Sequence, residues 1–236
     1  MVTGLLGLEW FAFDGNPVGF HVVNLLLHSG VTILVVLLLG ELLPVGAAFV
    51  GGLLFAVHPV HVEAVSNVVG VAEILAAFLF LWACLLILRG GERPGWGRTA
   101  AILLLFNLAF LTKESAITLV GVVLLLDSSR ADLTLRDLGA YIRRRWVLYG
   151  GMIGSAALIL YGRHLILGSL ADPFAPLGAS ILEEVPRIWT VTATWPHVIR
   201  LLFFPLELSS DYGPAVIPIA YGWNFENLTG VILVLG

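Results

Sequence analysis

Apolar runs joined by short polar links set the pattern of this chain. Residues 18–40 form the longest, and at 1.5 Å per helical residue they can cross a hydrocarbon core about 30 Å thick. Residues 42–57, 74–88 and 146–167 read as further spans. Residues 99–112 and 115–126 are shorter, roughly 20 Å each as helix, and only Lys113-Glu114 separates them. Their shared tip is therefore expected below the membrane surface, recessed rather than exposed. Residues 1–17, with Glu9, Asp14 and Asn16-Pro17, read as the end of a loop or interfacial segment. Residues 188–204 contain Pro196, His197 and Arg200 and read as an amphipathic helix lying on the membrane, and Leu228 opens another span.

The link His58-Pro59-Val60-His61-Val62-Glu63 stands out, because it brings two imidazoles and a carboxylate to where a bilayer meets water. A residue before proline is pushed out of the helical region and proline suits a first helical position, so a helix is predicted from Pro59 toward Leu88. On it Glu63, Ser66, Asn67, Gly70 and Glu73 recur at steps of three and four, a polar stripe that must face protein or water. Three readings stand for the link: a metal site of His58, His61 and Glu63, a simple interfacial helix start, or the polar wall of an active site. The metal reading is weakened because Glu63 lies two residues from His61 and points to the other side of a helix. In the 18–40 run, His21, Asn24 and His28 form a seam at helical spacing, read as helix–helix hydrogen bonding. Gly46, Ala47, Ala48, Gly51 and Gly52 permit close packing of the next run.

Composition turns these runs into a membrane protein. Hydrophobic residues make up 59% of the chain, charged residues 12%, and mean hydropathy is +0.99, beyond what a soluble domain of this size needs. The fold class expected is an all-α, multi-pass transmembrane helix bundle. The single cysteine, Cys84, lies within an apolar run, which rules out a disulfide framework. Met1 opens a stretch with no basic flank and no small-residue cleavage site, so no signal peptide is read. Richness in glycine and arginine with one lysine points to a prokaryotic source.

The net charge of −4 matters less than its distribution. Loops 89–98 and 127–145 hold eight arginines, which places them on the cytoplasmic side. Residues 1–17, 58–73, the 113–114 tip and everything after Leu167 are then expected on the outer face. The expected division is a helical core over 1–168, an external region with an interfacial helix over 169–227, and the start of a further span over 228–236.

Four polar groups share that outer face: the 58–73 stripe, Lys113-Glu114, the helix end at Arg163-His164, and Asp211-Tyr212. A buried lysine and interfacial arginines suit a phosphate at headgroup level, and carboxylates beside them suit base catalysis on a hydroxyl. The bland alternatives are an ion pair of Lys113 with Glu114 or another acid, and an ordinary turn at Asp211-Tyr212. No Gly-rich nucleotide loop is present, which disfavours a nucleotide-driven pump.

Several motifs then occur in a familiar order. They are Gly19-Phe20-His21-Val22-Val23-Asn24-Leu25-Leu26-Leu27-His28, His58-Pro59-Val60-His61-Val62-Glu63-Ala64-Val65, Gly70-Val71-Ala72-Glu73, Leu111-Thr112-Lys113-Glu114 and Phe204-Pro205-Leu206-Glu207-Leu208-Ser209-Ser210-Asp211-Tyr212. In this they resemble the transmembrane and tetratricopeptide repeat-containing (TMTC-like) O-mannosyltransferase family and its prokaryotic relatives. The resemblance implies a multi-pass glycosyltransferase of GT-C type that takes a sugar, expected to be mannose, from a polyprenyl phosphate. It passes the sugar, with inversion, to a protein hydroxyl on the extracellular or luminal side, and the implied location is a prokaryotic plasma membrane, or the endoplasmic reticulum in a eukaryote. Glu63 and Glu73 look like that fold's second acidic region and are the catalytic candidates, beside His58 and His61. Lys113 looks like a donor-phosphate ligand, and Asp211 with Tyr212 belongs to the family's external loop signature; beside the resemblance, Arg163 is read as helping Lys113, and Glu114, Asp211 and Tyr212 as completing the polar wall. No cofactor and no metal are implied, and the partners are the lipid-linked sugar, a protein acceptor and membrane lipids, not nucleic acid.

This chain departs from the pattern in three places. The family's first span and acidic loop do not precede these motifs, Val71 stands where an arginine is common, and no tetratricopeptide repeats follow Gly236. The chain is therefore expected to be a fragment, with activity residing in a longer parent. A transporter or lipid flippase would line a pathway with the same groups, but residues 31–39 and 78–88 carry almost no polar groups to continue it. A non-catalytic membrane scaffold is the remaining alternative.

Overall fold

The computed structural model describes residues 1–91, 94–130, 135–168, 187–206, 208–209, 220 and 222–235. The protein is an all-α membrane protein, with no strand among the described residues. It divides into two compact units, Met1–Leu170 and Ala171–Gly236. Among the described residues two stretches are long and apolar enough to cross a membrane, Pro17–Gly40 and Val68–Leu88, and a bent pair, Val45–Ala56 with Pro59–Ser66, makes a third if counted as one span.

In the first unit the helices are α1 (Val2–Phe13), α2 (Pro17–Gly40), α3 (Val45–Ala56), α4 (Val62–Ser66), α5 (Val71–Leu88), α6 (Trp96–Thr112), α7 (Leu119–Arg130), α8 (Leu135–Arg144) and α9 (Trp146–Leu167). α2 starts where its sequence dictates: Asn16 accepts a hydrogen bond from Val18 N at 3.0 Å and Pro17 takes the first position. α3 packs on α2 through small residues. Ala48 is buried, and a Cβ on Gly52 would overlap the Val36 side chain. The centre of the unit is an apolar core from α5, α6, α7 and α9 that includes Ile87, Ile102, Phe106, Leu119 and Met152.

Four expectations need correction. Of the two readings of residues 1–17, the loop end gives way to a helix, Val2–Phe13, closed by Asp14 in the left-handed region and with Glu9 buried. The 42–57 run becomes helical only from Val45, because Pro44 sits at the cap with extended backbone. The stretch from Pro59 is not one helix. A 3-10 turn at Pro59–His61 leads into α4, the chain extends at Asn67, and a second 3-10 turn at Val68–Gly70 leads into α5, so the predicted stripe is split. Asn24 of α2 holds the break: it is almost fully buried, and its side-chain amide donates to the Asn67 carbonyl at 2.9 Å and the Val65 carbonyl at 3.3 Å. Two carbonyls that a continuous helix would have satisfied are satisfied by a neighbouring helix instead.

The fourth correction concerns 127–145, read as a charged loop. α7 runs to Arg130 and α8 covers Leu135–Arg144. Arg145, expected among exposed arginines, is buried in an ion pair with Asp127, whose other oxygen accepts a hydrogen bond from the Tyr149 hydroxyl at 2.7 Å. α9 has the predicted bounds, 146–167.

The second unit pairs α10 (Arg187–Phe203) with α11 (Phe225–Leu235). Asn224 and Asn227 cap the start of α11 reciprocally, each accepting from the other's backbone N–H at 2.8 and 3.1 Å. The Asn227 side chain also donates to Thr192 Oγ1 of α10 at 2.9 Å, and Gly230 lies where a Cβ would overlap the Thr192 carbonyl.

Candidate active site

The antiparallel run of α5, α6, α7 and α9 gives the first unit two polar ends. One holds the start of α5, the α6–α7 junction and the last turns of α9, and so collects Glu63, Glu73, Lys113, Glu114 and Arg163. The other holds the close of α5 and the starts of α6 and α9. There Arg89 Nε meets Glu41 Oε1 at 2.7 Å and Arg98 donates to the Arg89 carbonyl at 3.0 Å.

At the first end, α6 stops at Lys113, whose backbone is extended, and a 3-10 turn over Glu114–Thr118 leads into α7. This kink aims two adjacent residues at opposite neighbours. The Lys113 ammonium pairs with the Glu73 carboxylate on the first turn of α5, and the Glu114 carboxylate pairs with the Arg163 guanidinium on α9. Of the two partners open to Lys113 from sequence, Glu114 or another acid, the geometry selects Glu73. Burial lowers the Lys113 pKa from the ordinary lysine value, and the nearby Glu63 carboxylate opposes that shift.

Beside the junction opens a cavity of about 770 Å³. Its walls are largely apolar, from Phe110, Leu111, Ile159, Leu160 and Ile166, while Lys113, Glu114 and Arg163 supply charge. Arg163 is only 21% exposed at its side chain, and its Nε has no hydrogen-bond partner. A second recess of about 320 Å³ is lined by Glu63, Asn67, Gly70 and Glu73, so the two carboxylates share one hollow even though the helix between them is broken. Gly70 permits that break, since a Cβ there would lie 2.7 Å from the Ala64 carbonyl carbon and overlap its oxygen.

The histidines make contacts of their own. His58 Nδ1 accepts from Val60 N at 3.2 Å as the cap of the 3-10 turn. The His61 ring packs against Phe55 at 4.3 Å and His28 at 5.3 Å between centroids. His28 Nε2 in turn lies 3.1 Å from the Ala56 carbonyl, so the α2 seam is used for contacts between helices. Among the described residues no three His, Cys, Asp or Glu side chains form a metal-holding group. Asp211 and Tyr212 lie outside the described residues.

The chain is 34% identical over 224 residues to protein O-mannosyl-transferase Tmtc2 of Drosophila melanogaster, a match covering 89% of this chain and 23% of that protein. It is 31% identical over 238 residues to Tmtc1 of the same organism, covering 94% and 28%, and 39% identical over 249 residues to human TMTC4, covering 86% and 33%. Both of these also carry the name protein O-mannosyl-transferase. These homologues support a TMTC-like family. The chain spans about a quarter to a third of the length of these curated relatives. No family model and no solved structure matches the chain.

Sequence reasoning missed the Asp127–Arg145–Tyr149 cluster. The only signal for it was an aspartate closing an apolar run with a tyrosine four residues beyond Arg145, which is too common a pattern to single out.

Proposed function

We propose that this chain forms part of a membrane glycosyltransferase of GT-C type, which moves a sugar from a polyprenyl-phosphate donor to a protein hydroxyl. The homologues, named protein O-mannosyl-transferases, support a glycosyltransferase role, and mannose is the sugar their names suggest. The observation that carries the reading is the 770 Å³ cavity, whose apolar walls end at two cations from different helices. An amphiphile with an anionic head fits that combination: its hydrocarbon lies along Leu111, Ile159 and Ile166, and its phosphate meets Lys113 and Arg163.

In this reading Glu73 and Glu114 occupy the cations while the site is empty, and the donor phosphate displaces them. Glu73, freed from Lys113, or Glu63 in the same recess then accepts a proton from the acceptor hydroxyl. The hydroxyl oxygen attacks the anomeric carbon, the carbon–oxygen bond to the phosphate breaks, and the configuration inverts. Lys113 and Arg163 take up the charge that develops on the departing phosphate. His58 and His61 shape the wall beside the carboxylates. The site faces outward from a prokaryotic plasma membrane, or into the endoplasmic reticulum lumen of a eukaryote, because the arginines at the opposite end mark the cytoplasmic side. Residues 1–168 form the helical core, 169–227 the external region, and 228–236 the start of a further span.

The test is Lys113→Ala in the full-length parent. Sugar transfer is expected to be abolished while membrane insertion stays intact; unchanged transfer would refute the assignment.

A further inference from the structure

At the arginine-bearing end of the first unit lies a recess of about 290 Å³ with no part in the proposed transfer. Pro94, Trp96, Thr99, Arg144, Arg145 and Trp146 line it. The Arg145 side chain is 1% exposed. One of its nitrogens is committed to Asp127, while Nε and Nη2 are buried with no hydrogen-bond partner. Orphaned donors on a buried guanidinium are costly, so a native structure that keeps them calls for an acceptor from elsewhere.

Two helices also begin at this recess. α6 starts at Trp96 after Gly95 and α9 at Trp146 after Arg145, and neither start has a side-chain cap. The leading backbone N–H groups of each helix thus lack intrahelical acceptors, although Leu148 N already donates to the Arg145 carbonyl at 2.9 Å, and both helix dipoles present their positive ends here. Asp127 pairs with Arg145, and Arg144 is exposed on the rim. Trp96 and Trp146, 78% and 69% exposed, flank the mouth, as indole rings do at the headgroup level of a bilayer.

We propose that this recess binds an anionic phosphate group, with Arg144 drawing its charge and Arg145 Nε and Nη2 and the two helix starts donating to its oxygens. The headgroup of an anionic phospholipid is one source of such a group and soluble phosphate is the other. Lipid bound here would fasten the start of α9, and hence the helix that carries Arg163, to the arginine-side leaflet.

The experiment places the chain in nanodiscs of phosphatidylcholine with or without phosphatidylglycerol and counts lipids retained after extraction by native mass spectrometry. Inorganic phosphate is titrated in parallel against the chain in neutral detergent. Two variants accompany the wild type: Arg144→Gln on the exposed rim, and Arg145→Lys, which keeps a cation beside Asp127 but removes the orphaned guanidinium nitrogens. Retention of phosphatidylglycerol at least tenfold over phosphatidylcholine, falling to parity in both variants with helical content unchanged, establishes the site and its lipid source. Saturable phosphate binding lost in both variants, without lipid preference, establishes the site with a soluble source. Lipid preference or phosphate binding that survives both substitutions, or neither in the wild type, overturns the proposal.

Discussion

Replacing Asp127 with alanine should destabilise the first unit severely. Its side chain is 4% exposed and that of its partner Arg145 1%, so the ion pair sits in protein rather than water. Removing one member of such a pair leaves an uncompensated buried charge, at a cost of about 3–5 kcal/mol. The Tyr149 hydroxyl loses its acceptor as well, a loss of about 1–3 kcal/mol on its own. The three groups share one partner, so these terms do not add, and we expect a net loss of about 4 kcal/mol. That lowers the folded-to-unfolded ratio roughly a thousandfold, at 1.4 kcal/mol per factor of ten. The assay is an SDS titration of the chain in maltoside micelles, followed by far-ultraviolet circular dichroism. Substituting Asp127→Leu, Arg145→Met and Tyr149→Phe together removes charge and unpaired groups at similar volume, and should recover most of the loss. A single-variant loss below about 1 kcal/mol, or a triple variant no better than the single one, would refute the reasoning.

Two further outcomes are expected. Gly70→Ala forces a Cβ into the Ala64 carbonyl, where only backbone can yield, so it should cost about 1–3 kcal/mol and separate Glu63 from Glu73; the same titration reads the first effect, and transfer by the full-length parent the second. Raising the pH should weaken donor use sooner than for an ordinary lysine. The Lys113 pKa is lowered, so its charge is lost from a lower pH upward; Lys113→Arg, which stays charged, should lack that alkaline fall, and coincident normalised profiles would contradict the role.

Much of the helical layout was legible because it is local. Asn16-Pro17 announces the start of α2, and the bounds of α9 follow from its apolar run. The break at Asn67 was not legible, because no proline lies between Pro59 and Leu88, a lone Gly70 does not by itself stop a helix, and the amide that holds the break open comes from Asn24, 43 residues earlier. Likewise the sequence Arg143-Arg144-Arg145 gives no sign of which arginine turns inward; Asp127 and Tyr149 decide it through the fold. The candidate site was legible as a set of residues sharing one end, since helix direction alone brings Glu73, Lys113 and Arg163 there. Which acid meets which cation depends on the kink after Thr112, whose geometry no periodicity encodes.

That kink makes Lys113 and Glu114 a cross-brace, with one strut to α5 and the next to α9. Consecutive residues cannot shift independently, so an anion that pulls the ammonium away from its strut also tugs on the other. Arrival of a charged head would thus be felt at both neighbouring helices at once, without any hinge elsewhere in the bundle.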